Sequence, residues 1–152
     1  MSERYHGRSG SVAVGTNKAL LNLFNGGTAQ RGRVYDLVLG CVATPADAAT
    51  HFQGVRSTAV GTEGAGGTPT GLDPASPAAA YDIGMGAFSV EPTKTASSAV
   101  FGVSMNQRAT FRWVAAPGGE FVLPATANAG MAVESLSSTV TTAHECGIWW
   151  EE

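Results

Sequence analysis

Apolar residues in this chain recur at every second position, and almost nowhere at the three-and-four spacing of a helix. In Arg33 to Ala43, Tyr35, Leu37, Leu39 and Cys41 share one face, with Val34, Val38 and Val42 on the other. Neighbouring side chains of a strand point to opposite faces, so a segment apolar on both is expected at the centre of a sandwich. In the next clear case, Ala109, Phe111, Trp113 and Ala115 alternate with Arg108, Thr110, Arg112 and Val114, the pattern of a half-buried strand. Pro117-Gly118-Gly119 is a turn signal, and Glu120 to Leu123 is expected to return as the hairpin partner. Helical composition is confined to Thr44–Thr50, where Pro45 opens at most one turn. With Ser11–Val14, Leu20–Phe24, His51–Val60, Ala87–Val90, Ala99–Met105, Met131, Val133 and Ser135–Thr142 included, roughly eight to ten short strands are expected, as in a sandwich or barrel.

One segment breaks the pattern. Gly61 to Ala80 reads GTEGAGGTPTGLDPASPAAA and holds a single large apolar side chain, Leu72. Such a run has almost no volume to bury against the entropy of ordering its backbone, and long connections of this kind tend to be binding loops. Residues 1–10, with Arg4, Tyr5, His6 and Arg8, read as an extended arm, and 11–152 as one sandwich domain carrying the 61–80 loop. Charged residues make up 14% of the chain, well below the usual quarter, so a surface covered by partners is expected. The net charge of −3 and the scattered arginines Arg31, Arg33, Arg56, Arg108 and Arg112 give no basic patch for nucleic acid. No apolar run resembles a secretory signal or reaches membrane-spanning length, which predicts a soluble protein made in the cytosol. Cys41 and Cys146 are expected as buried thiols, since nothing in such a chain requires a bridge.

Catalytic chemistry has little support. The three histidines, His6, His51 and His144, stand in different parts of the chain, and no nucleophile motif lies beside any of them. His144 and Cys146 would point the same way on a strand, but a metal site needs three or four ligands and no second pair is present. Gly61–Gly67 lacks the lysine and hydroxyl residue of a phosphate loop. No catalytic residue, metal, cofactor or small-molecule substrate is therefore expected. The tryptophans carry more weight. Trp149 and Trp150 are adjacent, so on a strand they face opposite ways: if one is inward, the other meets solvent or a partner. The exposed one is read as an interface anchor, with a stacking platform for sugars as the alternative.

Three segments, KALLNLFN at Lys18–Asn25, TPTGLDPASP at Thr68–Pro77 and the C-terminal GIWWEE, resemble small virion proteins of tailed bacteriophages. Between them, the Arg33–Val42 strand and GEFVLPATANA at Gly119–Ala129 fit the same pattern. The resemblance implies an antiparallel β-sandwich of jelly-roll type that decorates and cements the capsid's outer surface. It further implies a homotrimer bound to the major capsid protein, with no catalytic residues to carry over. The expected contact residues are Arg4, Tyr5, Arg8, Leu72, Trp149 and Trp150. A glycan- or receptor-binding module of a fibre or tail is the alternative.

Overall fold

The computed structural model describes residues 2–137 and 142–152, and all their regular structure is strand. Thirteen strands follow in order: β1 Arg4–Arg8, β2 Val12–Ala13, β3 Lys18–Asn25, β4 Arg33–Cys41, β5 Ala49–Ala59, β6 Ala65–Gly67, β7 Thr70–Gly71, β8 Tyr81–Met85, β9 Thr93–Asn106, β10 Phe111–Val114, β11 Phe121–Val122, β12 Gly130–Ser135 and β13 Ala143–Glu151. They form two antiparallel sheets. The seven-stranded sheet runs β10-β4-β13-β1-β7, with β11 also on β4 and β2 on β13; the six-stranded sheet runs β6-β8-β3-β12-β5-β9. One core lies between them, joining Leu37, Leu39, Ile148 and Trp150 of the first sheet to Leu23, Phe52, Ile83 and Met131 of the second. This is the two-layer arrangement of a β-sandwich, each sheet hiding one apolar face.

The pairings nest. β1 pairs with β13, β3 with β12, β4 with β10 and β11, and β5 with β9. The first half of the chain is thus matched by the second half running back. Strands β6, β7 and β8 all fall in the connection between β5 and β9, and they sit on the far side of the molecule, beyond β3 and β1. The 61–80 segment therefore holds two short edge strands, one on each sheet, with a turn after the second. Gly66 lies opposite Gly84 and Thr70 opposite His6, so backbone pairing replaces the side-chain burial that this sequence lacks. The turn after β7 is fixed by the Asp73 carboxylate, which accepts from the Ala75 amide.

Several expectations need correction. The expected arm at residues 1–10 is a sheet strand in its described part: β1 is hydrogen-bonded between β13 and β7, and Tyr5 is buried. Short polar segments such as RYHGR give no periodic signal strong enough to reveal a strand whose partner lies at the other end of the chain. Glu120–Leu123 is not the hairpin partner of β10. Both β10 and β11 pair antiparallel with β4, so they run as one edge strand interrupted by a turn at Ala116–Gly119. β4 is central, but its faces do not alternate throughout. A bulge between Trp149 and Trp150 shifts the register, so Val34 joins Leu37 and Leu39 in the core while Tyr35 is only half-buried. Ala87 to Val90 is not a strand, since Ala87 takes a positive φ of 62° and only Val90 makes an isolated bridge, to Thr62. The real strand nearby is β8. Thr44–Thr50 forms no helical turn, and of the expected Ser135–Thr142 strand, residues 138–141 lie outside the described residues. Neither cysteine is bridged: Cys146 is buried as expected, but Cys41 is only half-buried.

The two lateral sides of the sandwich differ. On one side β6, β7 and β8 extend both sheets. On the other, β9 faces β10 and β11, and four aromatic rings fill the gap. Trp113 stacks on Phe121 at 4.0 Å with the planes 6° apart, and Phe101 stands 5.9 Å from Phe121 and 6.5 Å from Phe111. Phe101 lies across Gly54 of β5, where a Cβ would come within 2.2 Å of the ring, so glycine is what lets the ring lie flat on the sheet.

Candidate functional site

The outer face of the seven-stranded sheet gathers the chain's most conspicuous surface side chains, and β13 organises it. Along this strand His144, Cys146, Ile148 and Trp150 point inward and are buried, so Glu145, Gly147, Trp149 and Glu151 alternate outward. β1 lies alongside, with Arg4 opposite Glu151, His6 opposite Trp149 and Arg8 opposite Gly147. On the other side of β13, β4 sets Val38 opposite Gly147 and Gly40 opposite Glu145.

Trp149 lies down on this face because Gly147, two residues earlier and on the same side, has no side chain. A Cβ there would meet two atoms of the indole six-membered ring at 3.3 Å. The His6 ring leans against it, with centroids 4.4 Å apart and planes inclined by 31°. Together with Val38, Val42 and Gly40 they line a shallow depression of about 360 Å³. Val42 is 45% exposed at its rim.

Ion pairs stand around this apolar centre. Arg8 reaches Glu145 at 3.5 Å, Arg4 reaches Glu151 at 3.7 Å, and the Arg4 guanidinium lies 5.4 Å from the centre of the Tyr35 ring. On the β10 side, Arg112 donates from two nitrogens to the two carboxylate oxygens of Asp36, a bidentate pair that also holds the guanidinium charged. His6 is held below the usual imidazole range, first by partial burial and then by the Arg8 charge, with Glu145 opposing. At neutral pH it is an uncharged ring, suited to stacking.

The six expected contact residues divide cleanly. Arg4, Arg8 and Trp149 meet on this face. Leu72 is half-exposed at the sheet's edge, its amide donating to the Arg4 carbonyl at 2.8 Å. Tyr5 and Trp150 are not contact residues but core residues, whose rings stack 5.9 Å apart. Trp150 Nε1 donates to the Glu152 carboxylate, and the Tyr5 hydroxyl donates to the Pro77 carbonyl, so each polar tip is satisfied inside. Sequence reasoning missed Val38, Val42 and Gly147. The signal was present in the i, i+2 spacing of Gly147 and Trp149, which puts a bare backbone patch beneath a half-buried indole.

Chemically the face offers apolar contact area bordered by charge. A flat aromatic and aliphatic centre with charge pairs at its margin matches the anatomy of a recognition surface, where apolar contact gives energy and polar groups give orientation. The histidines stay apart: His6 is on this face, His144 is buried inside, and His51 lies exposed on the other sheet. Among the described residues, no three His, Cys, Asp or Glu side chains come together as metal ligands would. Scans of family models, curated proteins and solved structures return no match for the chain. Fold and face define an all-β, two-sheet protein with an aromatic surface patch.

Proposed function

We propose that this chain is a structural virion protein that decorates and cements the capsid of a tailed bacteriophage. It binds major capsid protein subunits on the outside of the shell and works as a homo-oligomer. The nested strand pairing supports reading the sandwich as a jelly roll, an architecture used by capsid and lectin domains. A fold alone does not assign a function. The observation that carries the reading is Trp149 lying flat on Gly147, with His6, Val38 and Val42 beside it and two arginine–carboxylate pairs at the margin. A rigid sheet face of this kind takes the gripping role first expected of an N-terminal arm. Each contact is modest, and an oligomer on a symmetric shell multiplies them through effective concentration.

The test is to mix the purified protein with undecorated capsids and sediment them. Binding at micromolar concentration that Trp149→Ala abolishes, with the melting temperature kept, supports the reading. Absence of binding by the folded wild-type protein overturns it. A second reading, a glycan-binding module, is favoured by the same flat indole, since a sugar ring stacks on such a surface with nearby charged groups orienting its hydroxyls. A glycan array decides this one: a hit lost in Trp149→Ala favours the module, and a blank array removes it.

A further inference from the structure

The outer face is not the only surface left unfinished. β9 is the last strand of the six-stranded sheet, and among the described residues no strand pairs with its free edge. Proteins normally blunt such edges, because a row of unpaired backbone groups is a template for another strand. The other lateral edges here are blunted: β6 and β7 are three and two residues long beside Pro69, Pro74 and Pro77, and the β10–β11 edge is broken by the Ala116–Gly119 turn. β9 carries an excursion at Thr95–Ser98, where Ser97 has a φ of 56°, but Phe101–Asn106 pairs with Gly54–Ala49 without a register shift. From Thr95 to Gln107 there is no charged residue and no proline. Among the described residues, the longest regular edge is thus left without a guarding charge, proline or neighbouring strand.

We infer that β9 pairs antiparallel with β9 of a second copy of this chain, joining the two six-stranded sheets into one. The strand's own pattern selects this occupant. Phe101, Val103 and Met105 face the core side, while Gly102 and Ser104 are exposed on the outer side. A two-fold axis at Val103 sets Phe101 opposite Met105 of the second copy, Val103 opposite its own equivalent, and Gly102 opposite Ser104 of the second copy. Apolar residues then meet apolar residues on the inner row, including an aromatic–sulfur pair. No like charges oppose each other anywhere along the uncharged run. The interface is isologous, as a two-fold requires. The aromatic stack of Phe101, Phe111, Trp113 and Phe121, left half-buried along the same side, is brought beside its equivalent. This pairing is two-fold, in place of the three-fold expected from the family resemblance, and it does not depend on what the outer face binds.

Light scattering on the full chain after gel filtration tests the pairing, with two variants on the exposed side of β9. A side chain on Gly102 meets only ordinary contacts, the nearest being His51 Nε2 at 3.7 Å, so both variants leave the core intact. G102K/S104K puts lysine opposite lysine in both outer pairs; G102K/S104E puts lysine opposite glutamate in the same pairs. The expected result is a wild-type assembly of twice the chain mass or a multiple of it, monomer for the like-charge variant, and recovery of the assembly for the opposite-charge variant. Melting temperatures of the two variants establish that both are folded. A wild-type protein that stays monomeric into high micromolar concentration overturns the inference, as does a like-charge variant that still assembles. Monomer in both variants overturns the register centred on Val103.

Discussion

Trp149 and Trp150 are neighbours in sequence and opposites in environment: the first lies on the outer face over Gly147, the second is wholly buried against Tyr5 with its Nε1 bonded to Glu152. The alternation of one strand separates a surface anchor from a core anchor, and the two substitutions should separate accordingly. Trp150→Ala is expected to lower stability by about 3–5 kcal/mol, as large-to-small changes in a packed core do. Trp149→Ala is expected to cost about 1 kcal/mol or less while removing the proposed adhesion. Urea denaturation of both variants checks the difference; equal losses would place Trp149 in the core's energetics.

Lys94 and Glu134 form an ion pair beneath the excursion of β9. Glu134 also accepts from Gln53, and Lys94 donates to the Asn17 carbonyl and approaches Glu91. Glu134 is almost fully buried, so removing its cation leaves a charge with little water to solvate it. Lys94→Met is expected to destabilise by about 3–5 kcal/mol, and Lys94→Met/Glu134→Gln by clearly less, because the second change removes the stranded charge. Denaturant midpoints of the two variants measured side by side decide the point. A double variant no better than the single one would show that packing, not charge, is what Lys94 supplies.

Acid should weaken the fold through its histidines. His144 is buried, and burial pushes its imidazole below the usual range, with the Thr142 carbonyl opposing. In the unfolded chain the same group takes up a proton near pH 6.5. The unfolded state therefore binds more protons than the native one as pH drops, so the contribution is complete above about 6.5 and is lost below it. His6 shifts in the same direction. His144→Phe is expected to flatten the fall in stability between about pH 7 and pH 5, leaving a residual slope from His6. Unchanged slopes would assign the acid sensitivity elsewhere.

The two thiols should react in order of access. Cys41 is half-buried at the edge of the outer-face depression, whereas Cys146 is fully buried and its thiol is pushed far up by burial, with Glu145 adding to the shift. A maleimide at neutral pH is expected to label one site in the native protein and two after unfolding, with Cys41 the native site by mass mapping. Native labelling of Cys146 would mean that β13 opens readily.

How far the chain announced its own fold depends on how local each signal is. Alternation in Arg33–Ala43 and Ala109–Ala115 marked strands where β4 and β10 lie, because period two is a property of neighbouring residues, although it put Val34 and Tyr35 on the wrong faces. Thr93–Asn106 was only half seen, since its first residues carry no alternation and pair irregularly with β5. Tyr81–Met85 was missed beside the falsely placed Ala87–Val90 strand: Gly84 lies within it and Gly86 follows it, and its β-character comes from pairing with Leu21–Asn25. The face of Trp149 was left open by a rule that says only that it differs from that of Trp150.

Residue order by itself determined that this is an all-β protein with a strand at its centre, few charges, and two adjacent tryptophans that any strand through them must turn to opposite sides. The tertiary structure alone decided that RYHGR is a strand in the sheet, that Tyr5 is core, that 61–80 lies along one side of the sandwich, and that β9 is the last strand of its sheet on the other. Those facts rest on pairings such as Arg4 with Glu151 and Thr70 with His6, between segments far apart in the chain. A backbone hydrogen bond carries no side-chain signature, so which edge meets which is settled only when the sheets assemble.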